Sequence, residues 1–423
     1  MKIVIRKKSI SEWLTLFVLF MPFLLEFLIE LLKLPSLIKY TLDVAWICLL
    51  FIMLLKKRVT LSSQVRWLMI IAGLFFATSL IGFVLNFQTV QYYLWGIRNN
   101  IRFFVFFFAC IFFIKEQTAE RCLRIFNKLF WINFIVVLYQ YIFMGKMQDN
   151  LGGLFGVEQG CNGSMNIFLL ITITYSILKY IHKKERSYAF FAKVAAALLI
   201  AVLAELKAFF VELIILIIMV MRITKFSWKK IGISIGVVLG LYIGTEMVAK
   251  IFPVFSGWFS LGRMWRNLTR TTGYTGQTDM NRLTGIVIAL NRFLLSTGEK
   301  LFGLGLGNCD YASFDFLVTP FYSQFGWMNY AMFSSAFLIL ETGVVGLALY
   351  TMFFVLLFFF NRKRKKRRQE NLLYSQMGQI LSVMCLVLMI YNHSLRTEAA
   401  YILYFCLALP YIGQSEKKEK EED

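Results

Sequence analysis

Long apolar runs, separated by short charged segments, constrain this chain more than any other feature of its sequence. Of its 423 residues, 59% are hydrophobic and 16% are charged, with a mean hydropathy of +0.66. A soluble fold would dilute its core with a polar surface, so this excess predicts helices that cross a membrane. We expect an all-α polytopic fold, one integral domain over residues 1–423. About twelve spans of roughly 20 residues each are predicted, over 13–32, 37–55, 67–85, 96–114, 129–145, 164–181, 189–204, 208–221, 231–251, 332–360, 376–391 and 399–413.

The distribution of positive charge predicts the orientation of these spans. Most of the 45 Lys and Arg residues fall in alternate loops, such as Lys56–Arg58, His182–Arg186 and Arg362–Arg368. Because cytoplasmic loops are enriched in Lys and Arg, both termini and the tail 414–423 are predicted to be cytoplasmic, in a multi-pass protein of the cytoplasmic membrane. The formal charge of +21 is then explained by topology and anionic membrane lipids, and no nucleic-acid partner is expected.

Neither a cofactor nor a metal site is predicted. His182 and His393 are the only histidines, which argues against a histidine-based metal site. Cys161 and Cys309 both fall outside the membrane in this topology, so a disulfide between them stays open. The first apolar stretch lacks a small-residue cleavage site, and no cleavable signal peptide is expected.

A large loop, 252–330, is predicted on the extracytoplasmic side. Cations on that side run against the positive-inside bias, so we expect them to serve a purpose other than topology. They are Arg263, Arg266, Arg270, Arg282, Arg292 and Lys300. The first three lie opposite a stripe that contains Trp258 and Trp265, which predicts an interfacial helix. Contact with lipid headgroups is the favoured explanation for these three arginines, with substrate binding as the alternative.

A second helix is predicted in the loop, from about Asp279 to Thr297 and ending at Gly298. Its apolar stripe is expected to consist of Leu283, Ile286, Val287, Leu290 and Leu294. Arg282 flanks that stripe beside small residues and Arg292 faces away from it. Arg282 is therefore the better candidate for a binding cleft, with a surface ion pair as the alternative.

A glycine-rich turn, "GLGLGN" at Gly303–Asn308, follows this helix. Glycines permit tight turning and let backbone N–H groups approach an anion, which makes Gly305, Gly307 and Asn308 candidates for pyrophosphate binding. The spacing does not match a nucleotide-binding fingerprint. A plain connection between two helices is the alternative interpretation.

Charged residues near the outer ends of the spans are further candidates. Lys207 follows Glu205 in a predicted outer turn, where an ion pair would satisfy it without a ligand. Glu212 and Glu341 lie inside apolar runs, where a carboxylate needs a partner or becomes neutral. Each is a functional candidate, with a hydrogen bond between helices as the alternative.

Two further segments place cations on the same predicted face. Arg98 and Arg102 are four residues apart and share a helix face. The short outer loop "YNHSLRTEAA" carries His393, a candidate general base, and Arg396. Such cations suit transfer of a sugar from a lipid pyrophosphate, because fixed Arg or Lys stabilises the leaving group without a metal.

The segments "LFGLGLGNCDYASF" and "FSSAFLILETGVVGLALY" resemble the O-antigen ligase/polymerase superfamily, most closely Wzy-type polysaccharide polymerases of Gram-positive capsule or exopolysaccharide loci. The resemblance covers the whole plan of the chain. It implies a GT-C-like membrane glycosyltransferase that joins undecaprenyl-pyrophosphate-linked oligosaccharide repeats on the outer leaflet, without nucleotide sugar or metal. Other capsule-assembly proteins are implied as partners.

The resemblance also implies roles for single residues. Lys207 matches a basic residue after the turn, and Arg282 matches the arginine before the glycine turn. Met332 and Ser335 stand where relatives carry a histidine. The general base therefore stays open among three candidates, Glu341, Asp310 and His393. A ligase that transfers the glycan to another acceptor, or a flippase for the lipid-linked oligosaccharide, remains an alternative.

Overall fold

The computed structural model describes residues 9–56, 61–224, 279–312, 314–366 and 372–413, with a few single positions between 232 and 250. The structure is 81% helical and its described residues contain no strand, which confirms the all-α prediction. The helices are α1 (Ile10–Phe20), α2 (Thr41–Leu55), α3 (Ser63–Leu85), α4 (Val90–Phe113), α5 (Glu116–Ile142), α6 (Cys161–Ile181), α7 (Ser187–Leu203), α8 (Lys207–Ile223), α9 (Thr284–Ile288), α10 (Thr297–Phe302), α11 (Pro320–Phe325), α12 (Ser334–Lys366), α13 (Leu372–Tyr391) and α14 (Ala400–Ala408). Short 3₁₀ or π turns occupy Met21–Phe23, Phe27–Leu31, Ser36–Tyr40, Gln148–Asn150, Gly153–Phe155, Ala289–Phe293, Asp315–Leu317, Gly326–Met328, Tyr330–Met332, Ser394–Arg396 and Leu409–Tyr411.

Seven of the described helices are long and apolar enough to cross a membrane, which confirms the membrane class. They are Ser36–Leu55, Ser63–Leu85, Val90–Phe113, Glu116–Ile142, Cys161–Ile181, Ser334–Arg364 and Leu372–Tyr391. Shorter apolar helices lie at Ile10–Phe23, Ser187–Leu203, Thr284–Phe293 and Ala400–Tyr411. The predicted span 231–251 falls almost entirely outside the described residues. Arg263, Arg266, Arg270 and the tail 414–423 also lie outside them.

The helices divide into a central set and a peripheral set. α4, α6 and α13 are mostly buried within the protein, whereas α2, α3 and α5 expose most of their apolar length. Phe51, Leu54 and Ile135, for example, are 60%, 72% and 65% exposed. Apolar side chains so exposed on long helices are those that a hydrocarbon layer covers. The central helices carry buried polar groups such as Asn99 and Arg102 on α4 and Asn166 on α6.

A run of phenylalanines fixes α4 in the centre of the bundle. Phe103, Phe104, Phe106 and Phe107 are each at most 2% exposed. The ring of Phe103 lies 5.0 Å from that of Tyr401, which stands on α14. Aromatic pairs of this kind contribute about 0.5–1.5 kcal/mol each beyond the area they bury. This packing holds the more polar N-terminal half of α4 in place.

The helix predicted from Asp279 to Thr297 is shorter than expected. Helical turns extend from Thr284 to Phe293, and the chain then breaks before α10. A capping box causes the restart: the Ser296 hydroxyl accepts from the Glu299 N–H, and the Glu299 carboxylate accepts from the Ser296 N–H. Gly298 therefore lies inside a helix and does not end one.

The predicted apolar stripe of that helix is also wrong in part. Leu283 and Val287 are 43% and 56% exposed, while Gly285 and Ala289 are buried. The position of a Cβ on Gly285 lies only 2.9 Å from the Ala336 Cβ on α12. In a membrane protein, helices approach one another closely through small residues, and larger apolar residues can face lipid. Arg282, one turn before Gly285, is partly buried on this packed side.

The glycine-rich turn lies against a break in α12. Gly343 has φ 63° and ψ −168°, which interrupts the helix that begins at Ser334. A Cβ on Gly343 would lie 2.4 Å from the Leu301 carbonyl carbon, so only glycine allows α10 to approach this closely. Beside the break, the Leu304 N–H donates to the Leu340 carbonyl at 2.8 Å. The "ETGVVG" segment and the glycine turn are thus one packed unit.

Candidate functional site

Seven polar residues from four segments form one connected network, which we name the outer cluster. Its members are Asp43, Arg98, Asn99, Arg102, Asp310, Arg396 and Glu398. They come from α2, the N-terminal half of α4, the segment after the glycine turn, and the loop between α13 and α14. These segments lie at the end of the bundle that the charge pattern predicts to be extracytoplasmic. The three candidate arginines of the separate segments therefore meet.

Arg102 is the most deeply buried cation of the outer cluster, at 1% exposure. Its Nη2 lies 3.4 Å from Glu398 Oε1 and donates to the Arg396 carbonyl at 3.2 Å. Its Nη1 lies 3.9 Å from Asp43 Oδ1. The guanidinium also lies over the Tyr401 ring, 5.5 Å from the centroid. Arg102 thus has two carboxylates within ion-pair distance, but neither contact is short.

Arg98 lies one turn before Arg102 and shares a partner with it. Its Nε donates to Asp43 Oδ2 at 2.9 Å, and its Nη1 donates to Asn99 Oδ1 at 2.8 Å. The guanidinium lies over Trp95 and Tyr40, 4.6 and 5.2 Å from the ring centroids. The i, i+4 spacing therefore does place both arginines on one helix face, directed at Asp43.

Asp310 and Arg396 form the tightest ion pair of the outer cluster. Arg396 Nη2 donates to Asp310 Oδ2 at 2.7 Å, and the Asn99 amide donates to the same oxygen at 2.6 Å. The Arg396 guanidinium lies 3.5 Å from the centroid of the Phe337 ring on α12. Both charged side chains are largely buried, at 11% and 6% exposure. This contact ties the loop after α13 to the segment after the glycine turn.

The charges of the outer cluster balance, because three arginines meet three carboxylates. Burial alone would raise the pKa of Glu398, but Arg102 and then Arg98 lower it, and the net pKa lies below its ordinary value. Glu398 is therefore ionised at neutral pH. Its side chain is 30% exposed, more than any other charged group of the network. Glu398 is hence the carboxylate that an incoming anion could displace from its arginine with the least change to the rest of the outer cluster.

The backbone N–H groups of the glycine turn bind a carboxyl group of the protein itself. Glu341, which is fully buried, accepts through Oε1 from the Cys309 N–H at 3.1 Å, and the Gly307 N–H also donates to its carboxylate. The Gly305 N–H donates to the Glu341 carbonyl at 3.1 Å. The Asn308 amide is likewise occupied, donating to the Leu304 carbonyl at 3.0 Å. The group that the turn binds is therefore the side-chain carboxyl of Glu341, which belongs to α12.

Gly305 and Gly307 have positive φ for reasons of packing. A Cβ on Gly307 would lie 2.0 Å from the Tyr92 carbonyl oxygen on α4, and one on Gly305 would lie 2.4 Å from Gln88 Oε1. Gln88 in turn donates to the Leu306 carbonyl at 2.8 Å. The glycines thus let the turn approach α4, immediately beside the outer cluster.

His393 lies in the same loop as Arg396, three residues before it. Its side chain reaches solvent, and its pKa is lowered by desolvation of the ring and then by the positive charge of Arg396. A lowered pKa means that the imidazole is neutral at pH 7 and is able to accept a proton.

Arg282 approaches the same loop from the other side. Its Nε donates to the Tyr391 carbonyl at 3.1 Å, and its guanidinium lies 4.4 Å from the centroid of the Tyr391 ring. Tyr391 is two residues from His393. Arg282 thus contacts the end of α13, where the loop that carries His393 and Arg396 begins.

Lys207 lies in the turn between α7 and α8, outside the outer cluster. Its Nζ is 2.5 Å from Glu205 Oε1. This is the ion pair that the sequence offered as an alternative to a ligand.

A group of acidic residues is the one described place where side chains could hold a metal ion. The carboxylates of Glu26, Glu30 and Glu158 lie within 4.8 Å of one another. Lys39 Nζ is 3.6 Å from Glu26, and the Val157 N–H donates to Glu30 at 3.1 Å. These contacts already neutralise part of the negative charge.

Asp43, Asn99 and Glu398 are the members of the outer cluster that were not selected as site candidates from the sequence. Asp43 had a signal, since a carboxylate within an apolar span needs a partner. Comparison with family models and with curated proteins found no match to this chain.

Proposed function

We propose that this protein is a polysaccharide polymerase that joins undecaprenyl-pyrophosphate-linked oligosaccharide repeats at the outer face of the cytoplasmic membrane, for a capsule or exopolysaccharide. The observation that carries the proposal is the meeting of Arg98, Arg102 and Arg396 beside the loop that carries His393, in a membrane-embedded helix bundle. The proposal includes twelve spans, a GT-C-like arrangement and cytoplasmic termini, and it requires neither metal nor nucleotide.

In the proposed reaction, the acceptor sugar hydroxyl attacks the anomeric carbon of the donor. A new glycosidic C–O bond forms, and the bond from that carbon to the pyrophosphate oxygen breaks. The hydroxyl proton passes to a base, for which neutral, solvent-exposed His393 is available. The lipid pyrophosphate leaves with an additional negative charge, which buried arginines would stabilise.

The charge balance of the outer cluster suggests how the donor would bind. The pyrophosphate would take the place of Glu398 beside Arg102, because this contact of 3.4 Å is longer than the ion pairs of Arg98 with Asp43 and of Arg396 with Asp310. Once separated from Arg102, the Glu398 carboxylate loses the interaction that lowers its pKa, while its burial remains. Glu398 would then become more basic as the donor binds. Glu398 is therefore a second candidate for the general base, and binding of the donor would raise its basicity.

Aromatic rings beside Arg98 are suited to contact sugars. Trp95 and Tyr40 flank its guanidinium, and Phe314 stacks near Tyr40 with ring centroids 5.8 Å apart. Phe316 is 64% exposed next to them. Rings with an exposed face pack against the apolar faces of sugars. The repeat unit would extend from the pyrophosphate over this surface.

The test is a reaction with purified protein and a lipid-linked repeat unit, in buffer without nucleotide, metal or proton gradient. A ladder of products that lengthens with time supports a polymerase. A single transfer to a different acceptor indicates a ligase, and transbilayer movement without any new glycosidic bond indicates a flippase.

Two variants with the same change in charge make the test specific to the site. Arg98→Gln should slow ladder growth about 10²–10³-fold, as expected for one lost donor to a developing charge. Arg292→Gln, which removes an exposed arginine of the loop, should leave it near wild type. Arg282→Ala tests the residue that the resemblance selects. Equal ladders from Arg98→Gln and wild type, at equal protein level, would contradict the proposed site.

A further inference from the structure

A pocket of about 410 Å³ opens at the other end of the helix bundle, far from the outer cluster along the helices. It lies between the N-terminal turns of α5, the C-terminal end of α6 and the start of α13. These ends carry the loops that the charge pattern predicts to be cytoplasmic. The residues that line it are Glu120, Arg124, Tyr175, Lys179, His182, Lys184, Leu372, Leu373 and Tyr374.

The pocket has a net positive lining. Arg124, Lys179 and Lys184 contribute three positive charges, and Glu120 is its single carboxylate. Within the described part of the chain, none of these three cations forms an ion pair. This differs from the outer cluster, where every arginine has a carboxylate.

The carboxylate next to Lys184 in the sequence does not compensate the pocket cations, because it binds other groups. Glu185 follows Lys184 directly, but it accepts from Lys193 and from the Ser176 hydroxyl. Lys179 lies over the Tyr175 ring instead, 5.4 Å from its centroid. His182 Nε2 is 2.6 Å from Gln376 Oε1 on α13, which holds the imidazole at the pocket wall. His182 and Lys179 are therefore held by neutral groups, and the lining of the pocket keeps a net positive charge.

The rest of the lining is apolar and reaches the surface of the bundle. Leu372 is 40% exposed, while Leu373 and Tyr374 are each 8% exposed. A ligand with one anionic group and an adjoining apolar portion matches this combination, and such pockets between helix ends receive lipid headgroups.

We propose that this pocket is a binding site for a phosphate group, presented by an anionic phospholipid of the cytoplasmic leaflet or by a soluble phosphate ester. Arg124 and Lys179 hold the phosphate from α5 and α6, and the α13 residues contact the apolar portion. Binding would tie together the ends of three helices, two of which, α6 and α13, are central to the bundle.

The experiment compares ligands on the purified full-length protein in a neutral detergent. Thermal unfolding is followed while short-chain phosphatidylglycerol, short-chain phosphatidylcholine or inorganic phosphate is added. Saturable stabilisation by phosphatidylglycerol alone supports a lipid source, and stabilisation by inorganic phosphate as well supports a soluble ester. No ligand-dependent shift, or equal shifts with phosphatidylglycerol and phosphatidylcholine, would overturn the proposal.

A matched pair of variants separates the pocket from general surface charge. Arg124→Gln with Lys179→Gln should weaken phosphatidylglycerol binding about thirty-fold, equivalent to about 2 kcal/mol for two cations near a membrane surface. Lys115→Gln with Lys128→Gln removes the same charge from exposed positions of the same segment and should change binding less than three-fold, by about 0.7 kcal/mol at most. Equal losses in the two double variants would overturn the proposal.

A third variant protects the test against misfolding of the first. Glu120→Gln removes the one carboxylate of the lining and should tighten phosphatidylglycerol binding several-fold, by roughly 1 kcal/mol of relieved repulsion. A gain of affinity cannot come from a damaged fold. Unchanged or weaker binding in Glu120→Gln would contradict the electrostatic argument.

Discussion

Removing the charge of Asp310 alone should destabilise the protein more than removing Asp310 and Arg396 together. The two side chains are 6% and 11% exposed and lie 2.7 Å apart, so each is the main compensation for the other's buried charge. Loss of one partner of such a pair costs about 3–5 kcal/mol, while replacement of both is often close to neutral.

The structure refines these magnitudes. In Asp310→Asn, the amide oxygen can still accept from Asn99, which donates to Asp310 at 2.6 Å, so we expect about 3 kcal/mol. Arg396→Met leaves the Asp310 carboxylate with two neutral donors, the Asn99 amide and the Tyr311 N–H, and should cost about the same. Met can still pack on Phe337, and the double variant should lose only about 1–2 kcal/mol.

The assay is equilibrium unfolding of the four proteins in mixed micelles, analysed as a double-mutant cycle. The more exposed pair of Lys39 and Glu26, 3.6 Å apart and about one third and one fifth exposed, serves as the control. Its single variants should cost less than about 1 kcal/mol, with little coupling. Additive effects at Asp310 and Arg396, with a double variant near 6 kcal/mol, would refute the idea that the outer cluster is held by charge balance.

Three further predictions concern the neighbouring elements. Gly343→Ala should destabilise by more than about 2 kcal/mol, because φ 63° disfavours a Cβ that would also lie 2.4 Å from Leu301; thermal unfolding checks this against Gly73→Ala, where nothing lies within 4 Å and no loss is expected. Glu341→Leu should cost about 1–3 kcal/mol for each of the two N–H groups it leaves unpaired, and Glu341→Gln, which keeps one acceptor, clearly less in the same unfolding assay. If His393 is the base, its lowered pKa keeps it neutral at pH 7, so polymer formation should fall only as the pH drops below about 6.5, and His393→Gln should lose that acid limb in a pH–rate profile.

The sequence predicted the membrane class and most helix positions, because apolar runs of about 20 residues have few other uses. The prediction was wrong for the side of the helix near Arg282 that packs against the protein. Leu283 and Val287 follow a helical stripe, and in water they would face the core. Lipid is as apolar as that core, so hydropathy cannot tell the packed face from the lipid-facing face, and Gly285 and Ala289 make the contact instead.

The break before α10 and the break at Gly343 were missed for a different reason. Ser296 and Glu299 have the spacing of a capping box, a local signal that was available and was overridden by the longer apolar periodicity. The interruption at Gly343 has no such local signal, because it depends on the approach of Leu301, which is 42 positions earlier in the chain.

Candidate cations could be found from the sequence, but their pairing could not. Arg98 and Arg102 were recognisable as neighbours on one helix face. Their common partner Asp43 lies on a different helix, and no rule of spacing joins the two. The same limit applies to the glycine turn, because spacing does not show that its N–H groups bind the carboxyl group of Glu341 on α12.

The two ends of the bundle should bind anions differently because the cations of the outer cluster are paired with carboxylates and those of the pocket are not. At the outer cluster an anion must first displace a carboxylate, and Glu398 is the exposed one. Its own negative charge then opposes the ligand, so binding there should weaken as the carboxylate ionises with rising pH and should be selective for multiply charged groups such as pyrophosphate. In the pocket at the other end of the bundle, Arg124 and Lys179 have no carboxylate to displace, so a singly charged phosphodiester is sufficient. A direct comparison of pyrophosphate and phosphatidylglycerol as ligands should therefore assign each to a different end: Arg98→Gln should affect only the first, and Arg124→Gln with Lys179→Gln only the second.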